Sequence, residues 1–196
     1  KNFQVADIRT RTALGLAEQF NLDLAQADRV AASASLLAEQ YEGWQNPQLQ
    51  DEMRNILLWA ARLHEVGGVV NHRGLQKHSA YILQNIELPG FDREQQRLLA
   101  LLVRLHIGGF RLDDLFAFAR YHKADVLALL RLLRLAVILN KSRQATESTQ
   151  AISLRNSADW RLDFAKDYLN NNPLIWNELR QESNQLKDLS LGLIFN

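Results

Sequence analysis

The segment KADVLALLRLLRLAVILNKSRQ, residues 123–144, constrains the fold more than any other part of the sequence. It is almost continuously apolar over about five helical turns. A helix that is apolar on all sides is stable only where other elements surround it. We therefore predict a helical domain over residues 1–145, with this helix at its centre.

Capping residues and apolar periodicity mark the first helices of this domain. Asp7 is expected to cap a helix that begins IRTRTALGLAEQF, and Asp23 a helix that begins LAQADRVAASASLLAEQ. A third helix is predicted to start at Asn46-Pro47, because proline is well tolerated at the first helical position. Gly67-Gly68 are expected to end that helix.

Two further helices and a shorter one precede the apolar segment. A helix is predicted around Leu75–Asn85, and Asp92 is expected to cap the next one, REQQRLLALLVRLHI. The segment DDLFAFARYH, residues 113–122, is predicted to be a short amphipathic helix. The first three quarters of the chain are therefore expected to be almost entirely helical.

The pattern changes near Ala145. The polar segment TESTQ is predicted to be a turn. The segments AISLRNS and WRLDFA alternate apolar and polar residues, which predicts half-buried strands. NNNPLIWNELRQESNQL has the cap and initial proline of a helix, and LSLGLIF reads as a final strand. Residues 146–196 are therefore predicted to form a small β-β-α-β subdomain. A unit this small buries little area alone, so we expect it to dock on the helical domain.

Composition excludes several classes of function. The chain has no cysteine, which rules out disulfides, thiolate metal sites and cysteine nucleophiles. No apolar run reaches the length of a membrane span, and the formal net charge of +1 predicts no DNA-binding role. Because the chain starts at Lys1 and holds a single methionine, Met53, we expect it to be a fragment of a longer protein.

Three of the five histidines lie in ARLHEVGGVVNHRGLQKHSAYIL, residues 61–83, where His64 directly precedes Glu65. Imidazole and carboxylate groups together hold divalent metal ions. The cluster has three interpretations: a working metal site, the remnant of one, or ordinary surface and core histidines. His72 and His122 fit no further pattern, and we expect both to be surface residues.

The order of LLWAARLHEVG, KHSAYIL and LLVRLHIGG resembles the HD superfamily of helical, metal-dependent phosphohydrolases. The resemblance matches His64 to the histidine of that superfamily's His-Asp pair and places Glu65 where the aspartate is expected. His78 and His106 match two later histidines. In such a site the metal would activate water for attack on phosphorus.

Two positions depart from the superfamily pattern. Gln26, in QADRVA, stands where the first histidine belongs, and Val137, in LLRLAVILN, stands where the late aspartate belongs. A valine cannot coordinate a metal, and an amide oxygen coordinates only weakly. We therefore expect no metal and no catalytic residue in this chain, with His64 and Glu65 kept as hydrogen-bonding residues inside the bundle.

A closer resemblance covers essentially the whole chain. HSAYILQNIELPGF, LLVRLHI and LLRLAVILNKSRQ look like the C-terminal region of the exopolyphosphatase / guanosine pentaphosphate phosphatase family. This resemblance implies a parent enzyme that releases terminal phosphate from inorganic polyphosphate or guanosine pentaphosphate. It also implies an N-terminal actin-like half that carries the catalytic residues and Mg2+. The present chain would then be an HD-like accessory part, inactive alone and without a cofactor of its own.

The implied partners follow from the same resemblance. They are inorganic polyphosphate or a (p)ppGpp-type nucleotide, the actin-like domains of the same chain, and a second copy in a homodimer. A cytoplasmic location is expected, including the periphery of the inner membrane. Arginine and lysine can neutralise a phosphate chain as they do nucleic acids. The candidate phosphate contacts are Arg9, Arg11, Arg73, Lys77, Arg104, Arg111, Lys141 and Arg143.

Two other functions compete with the accessory role. The chain could be an autonomous HD-type metal-dependent phosphohydrolase, which requires a bound metal. It could instead be a purely structural dimerisation module, as the tail aromatics Trp160, Phe164, Trp176 and Phe195 suggest. Those aromatics could equally form the core of the small subdomain.

Overall fold

The computed structural model describes residues 2–144 and 152–196. Seven longer segments of this part of the chain are α-helical, and one further helix is a single turn. The helices are α1 (Asn2–Gln19), α2 (Leu24–Gln40), α3 (Gln50–Leu63), α4 (Leu75–Asn85), α5 (Arg93–Leu105), α6 (Lys123–Leu139), α7 (Tyr168–Asn171) and α8 (Pro173–Asp188). The strands are β1 (Ser153–Asn156), β2 (Trp160–Asp163) and β3 (Leu193–Phe195). The mainly α fold class predicted from the sequence is confirmed.

The apolar segment forms α6, which lies at the centre of the bundle as predicted. α6 contacts α2, α3 and α5 on the helical side and α8 on the other side. Leu129, Leu130, Leu132 and Leu133 are completely buried, so successive residues around the whole helix are covered. Helices packed on every side of α6 remove its apolar surface from water, which makes the buried position favourable.

Two of the predicted caps form hydrogen bonds. A side-chain oxygen of Asp23 accepts the backbone N–H of Gln26 at 3.0 Å. Asp92 and Gln95 form a reciprocal capping box at the start of α5. These bonds satisfy backbone donors that a helix start leaves without an intrahelical acceptor.

Other predicted helix boundaries are corrected. Asp7 lies within α1, because α1 already begins at Asn2 and none of the residues between them breaks a helix. Pro47 opens a short 3-10 turn, Pro47–Leu49, that leads into α3. α3 ends at Leu63, ahead of Gly67-Gly68, which lie in a second 3-10 turn, Val66–Val69.

The helix predicted over residues 113–122 is wrong. Only a 3-10 turn, Leu112–Asp114, forms there, and the chain then runs irregularly to α6. The two carboxylate oxygens of Glu94 accept the backbone N–H groups of Ala119 and Arg120, at 2.8 and 2.9 Å. Phe116 and Phe118 both lie against one arginine, which a helix would prevent by turning residues two apart to opposite sides.

The tail forms the predicted β-β-α-β unit, with the single-turn helix α7 added before α8. Its sheet has the order β1-β2-β3. β1 and β2 are antiparallel with Leu154 opposite Leu162, and β2 and β3 are parallel with Trp160 opposite Leu193. The parallel pair requires a crossover, which α7 and α8 provide. The predicted TESTQ turn and the boundary at residues 145 and 146 lie outside the described residues.

The tail docks on the helical part through two arginines of α6. Arg131 lies 4.1 Å from the Trp160 ring centroid and donates to the carbonyl of Gly192 at 2.6 Å. Arg134 pairs with Glu182 of α8, with N–O distances of 2.8 and 3.0 Å. Leu154, Leu162 and Leu179 belong to the same apolar core as the bundle. Within the described part of the chain, no helix combines the length and apolar character needed to cross a membrane.

Candidate functional site

His64 and His106 end two helices at the same end of the bundle. Each follows the last residue of its helix, α3 or α5. Nδ1 of His64 lies 2.6 Å from the carbonyl of Ala61, and Nδ1 of His106 lies 2.5 Å from that of Val103. Because a carbonyl only accepts, Nδ1 carries the proton in each ring. Both histidines therefore satisfy carbonyls that the helix ends leave free.

The two imidazoles face each other in the interior. They are 4% and 2% exposed, and their ring centroids lie 5.0 Å apart at an interplanar angle of 75°. Burial lowers the pKa of His64. Burial, followed by the neighbouring His64, lowers the pKa of His106 to about 3. Both rings are therefore neutral near pH 7 and act as buried hydrogen-bonding groups.

Gly67 allows α4 to approach the end of α3. A Cβ at Gly67 would collide with the backbone nitrogen of Ser79 and lie 2.7 Å from Cβ of His78. The N–H of Gly67 donates to Oγ of Ser79 at 2.8 Å. The ring of His78 bonds the carbonyl of Arg73 at 3.2 Å through Nε2. His78 thus shapes the loop before α4.

Gln26, at the position matched to the first HD histidine, is buried and fully engaged. Its Nε2 donates to the carbonyl of Asn140 at 2.9 Å. Its Oε1 accepts two N–H groups of Arg29, at 2.9 and 3.1 Å. Asn140 in turn donates to Oγ of Ser33 at 2.8 Å. The amide therefore joins the start of α2 to the end of α6. Its oxygen accepts two hydrogen bonds and has no free lone pair for a metal.

Glu65, at the position of the superfamily's aspartate, binds the guanidinium of Arg143. The two shortest N–O distances are 2.9 and 3.2 Å, and Arg143 also reaches Asp23 at 2.9 Å. The hydrogen bond to Glu65 raises the pKa of Arg143, and the N–H of Gln26 and then Arg143 lower the pKa of Asp23. One protein cation therefore lies between two carboxylates at the start of α2 and the end of α3.

Arg143 adopts a left-handed backbone conformation with φ of 56°. This region costs a non-glycine residue about 1 kcal/mol. Its carbonyl accepts an N–H of Arg29 at 3.1 Å, and its side chain forms the two ion pairs. These contacts hold the strained turn in place directly after α6.

Val137 lines a cavity of about 280 Å³ between the end of α5, α6 and α8. His106 and Lys141 line it too, with Glu178 and Glu182 from the tail. Nζ of Lys141 lies 3.9 Å from Glu178, and Glu182 is paired with Arg134. The charged groups of this cavity are thus already matched to each other.

The residues at the HD positions do not fit a metal. Gln26 and Glu65 have other partners and Val137 has no donor atom. Only Nε2 of His64 and Nε2 of His106 are left, because Nδ1 of each ring donates to a helix carbonyl, and two imidazoles are fewer protein ligands than a zinc site uses. Among residues 2–144 and 152–196, no group of three or more His, Asp or Glu side chains is arranged to hold an ion. We call the end of the bundle formed by Asp23, Gln26, His64, His106 and Arg143 the histidine end.

The candidate phosphate contacts divide between two regions. Arg9 donates to the carbonyl of Gly90 at 2.6 Å, in the α4–α5 loop, which is the far end from His64. Arg73 and Lys77 lie at the start of α4 and Arg104 near the end of α5, where these two antiparallel helices meet the histidine end. Arg11 is exposed on α1.

The other three candidates have acidic neighbours. Arg111 lies 3.7 Å from Asp114 and Lys141 3.9 Å from Glu178. Arg143 binds Asp23 and Glu65. The sequence interpretation did not anticipate Asp23, beyond its capping role, or Asn140 as members of this polar cluster. Only the fold brings them together, because both lie more than 40 residues from His64.

The chain also matches known proteins over most of its length. Residues 8–183 match the family model described as Ppx/GppA phosphatase, domain III. A guanosine-5'-triphosphate,3'-diphosphate pyrophosphatase from Pseudoalteromonas translucida (strain TAC 125) is 36% identical over 198 residues, covering 97% of this chain and 38% of that protein. Proteins of the same name from Vibrio atlanticus (strain LGP32) and Vibrio cholerae (strain ATCC 39541) are 32% and 36% identical.

The chain covers 38% of the Vibrio atlanticus protein and 37% of the Vibrio cholerae protein. It therefore spans well under half the length of these curated relatives. The family model nevertheless extends from α1 into α8, across both the bundle and the tail. The chain therefore belongs to the Ppx/GppA phosphatase family, as its domain III.

Proposed function

We propose that this chain is a non-catalytic accessory part of an enzyme that removes terminal phosphate from inorganic polyphosphate or guanosine pentaphosphate. In this proposal the helical part is an HD-like bundle that no longer binds metal, and it contributes binding of the phosphate polyanion. The catalytic groups and Mg2+ are supplied by actin-like domains elsewhere in the longer protein. The similarity to guanosine-5'-triphosphate,3'-diphosphate pyrophosphatases supports the phosphatase part of the proposal.

One observation at the histidine end carries the proposal. Where a metal-dependent phosphohydrolase needs a cation between its ligands, the guanidinium of Arg143 joins Glu65 to Asp23. A divalent ion at Glu65 would have to displace that guanidinium, and an ion at the amide oxygen of Gln26 would have to displace Arg29. The arrangement supports a structural role for residues that resemble metal ligands.

Exposed cations support the binding role. Arg73, Lys77 and Arg104 are exposed, and none forms an ion pair with another described residue. A cation without a protein partner gives up no interaction when it contacts phosphate, whereas Arg143 would have to leave two carboxylates. We therefore expect Arg73, Lys77 and Arg104 to contribute more to binding than Arg143.

The test is a titration of the 196-residue chain with long-chain polyphosphate at several salt concentrations, together with a phosphate-release assay. We expect binding that weakens steeply with salt, because contacts to a polyanion release counterions. We expect no phosphate release. Absence of binding at low salt contradicts the binding role, and phosphate release by the purified chain contradicts the accessory role.

Elemental analysis of purified, unchelated protein tests the competing metal-dependent hydrolase. A full equivalent of transition metal per chain would favour the hydrolase over the accessory role. We expect a content far below one equivalent, since Gln26 and Glu65 already have protein partners.

We also propose that the chain supports homodimer formation. Leu174 and Trp176 on α8 and Ile194 on β3 expose large apolar surfaces in the tail. Exposed apolar groups of this kind are enriched where proteins associate. Light scattering that gives the mass of a monomer at all concentrations would contradict this part of the proposal.

A further inference from the structure

α5 presents a row of three arginines on its outer surface. Arg93, Arg97 and Arg104 are exposed and lie at positions i, i+4 and i+11, which fall within about 40° of one another around a helix. Ala100, at i+7, lies in the same row, and it is 5% exposed. At about 1.5 Å per residue, the row is about 16 Å long. It runs from the α4–α5 loop to the histidine end.

The three guanidinium groups have no acidic partner among the residues that the structure describes. Glu94 is the only acidic residue of α5, and both of its carboxylate oxygens accept backbone N–H groups of residues 119 and 120. Asp92, next to Arg93, binds Arg120 at 2.7 Å. The acidic groups nearest the row in sequence are therefore occupied, and the positive charge of the row is not neutralised by them.

Arg97 is also held in a defined orientation. Its guanidinium carbon lies 4.8 Å from the ring centroid of Phe116 and 5.5 Å from that of Phe118. Contact through the flat face leaves the N–H groups at the edge of the guanidinium able to donate. Arginine donors at such an edge match the geometry of phosphate oxygens. Phe116 thereby reduces the conformational freedom that Arg97 would lose on binding.

We propose that the outer surface of α5 is the path along which a linear phosphate chain binds, with Arg93, Arg97 and Arg104 as successive contacts. This inference rests on the proposed function and specifies where the polyanion lies. A row of separate cations about 16 Å long suits a polymer that carries a negative charge on every unit. A short anion reaches only one or two members of the row. Arg73 and Lys77 continue the positive surface at the start of α4.

The experiment uses the 196-residue chain and its triple variant Arg93→Gln, Arg97→Gln, Arg104→Gln. The probes are long-chain polyphosphate and tripolyphosphate, titrated over a range of NaCl concentrations. For the long chain we expect the triple variant to bind about tenfold or more weakly, with the slope of log K against log salt reduced by about 2 to 3. For tripolyphosphate we expect a smaller loss of affinity and a slope reduced by only about 1, since it contacts one or two members of the row.

The matched control is Lys166→Gln, Arg180→Gln, Lys187→Gln, which removes the same number of charges from exposed positions of the tail. We expect its affinity for the long chain to stay within about threefold of the parent chain, because long-range charge effects are screened at moderate salt. Equal losses in the two triple variants would overturn the path along α5 and indicate a general charge effect. Circular dichroism of both variants checks that the helices are retained.

The outcomes separate this inference from the function on which it rests. If the parent chain binds long polyphosphate but the α5 variant binds equally well, the path is wrong and the binding role stands. If the parent chain does not bind, both are overturned. An equal loss for tripolyphosphate and the long chain would contradict an extended path and indicate a local phosphate site.

Discussion

The two ends of the helical bundle are each closed by one arginine that bridges two carboxylates. At the histidine end Arg143, just after α6, joins Asp23 before α2 to Glu65 after α3. At the other end Arg120, just before α6, joins Asp92 before α5 to Glu52 in the first turn of α3, at 2.7 and 3.2 Å. The same device therefore ties the flanks of the central helix to the neighbouring helices at both ends.

The two ends differ in the buried polar side chains that lie near these arginines. His64 and His106 are buried as neutral rings at the histidine end. At the Arg120 end the buried groups are the amide of Gln95, which donates to Glu52, and the phenol of Tyr121, whose pKa is raised by burial. One end thus resembles a metal site in sequence, yet at both ends an arginine lies between two carboxylates. Residue types at a familiar spacing therefore do not by themselves identify a metal site, because a protein cation can neutralise the carboxylates instead.

The largest expected effect tests the attachment of the tail to the histidine end. Arg134 and Glu182 are 6% and 4% exposed, and Arg134 also donates to the carbonyls of Leu105 and Gly108. Glu182→Ala leaves a buried arginine without its counter-charge, so we expect a loss of about 3 to 5 kcal/mol in unfolding free energy. Urea denaturation measures it.

The double variant Arg134→Met, Glu182→Leu is the control for this pair. Because no unpaired charge stays buried, we expect it to be more stable than Glu182→Ala. A double variant that is less stable than Glu182→Ala would show that the bonds of Arg134 to the α5 end matter more than the ion pair.

The second prediction concerns the contact between the 3-10 turn and α4. Gly67→Ala places a Cβ against the backbone of Ser79, which cannot move as a flexible side chain can. We expect a loss of about 3 kcal/mol in unfolding free energy. Gly68→Ala is the matched control, since its Cβ would meet only side-chain atoms, of His72 at 3.4 Å and of Leu75 at 3.8 Å, and we expect a loss below about 1 kcal/mol. Equal losses would contradict the close approach at Gly67.

The third prediction uses pH to distinguish the two ends. The pKa of His106 is lowered from 6.5 to about 3, so the folded state excludes a proton that the unfolded state binds. The resulting stability is complete above pH 6.5 and is lost as the pH falls from there toward 3. Between pH 7 and pH 5 we expect His106 to account for a loss of about 2 kcal/mol, measured by urea denaturation at each pH. His64, whose pKa is also lowered, adds to the loss.

The Arg120 end should respond at lower pH. Burial alone would raise the pKa of Asp92, but hydrogen bonds from Gln95 and Arg120 lower it below 3.8. Its contribution is present above 3.8 and is lost only as the pH falls through the lowered value. His106→Gln should therefore reduce the loss between pH 7 and pH 5, whereas Asp92→Asn should leave that loss unchanged. The reverse result would contradict the assignment of the two ends.

The smallest expected effect compares the two bridging arginines directly. The side chain of Arg120 is 35% exposed and that of Arg143 is 46% exposed. We expect Arg120→Ala to cost about 2 kcal/mol in unfolding free energy, because Glu52 already has one buried oxygen without a partner. We expect about 1 kcal/mol for Arg143→Ala, whose ion pairs are more exposed to solvent. A larger loss for Arg143→Ala would reverse the ranking of the two ends.

Local sequence predicted most of the helices correctly. Asp23 and Asp92 cap α2 and α5, and α4 begins at Leu75 and ends at Asn85 as expected, because these signals act between residues a few positions apart. The helix prediction for residues 113–122 was wrong because the residue that determines the structure there lies outside the segment. Glu94, about 25 residues earlier, accepts its backbone N–H groups and prevents a helix from forming.

Local sequence is enough to predict the apolar central helix, the alternating strands of the tail and the HD-like spacing of His64, Glu65 and His106. Periodicity and residue type are local properties, so they can be read without the fold. The bond of Gln26 to Asn140 and the position of Arg143 between Asp23 and Glu65 depend on how distant parts of the chain pack together. A side chain can coordinate a metal only through a lone pair that no protein donor occupies, and those donors come from distant parts of the chain.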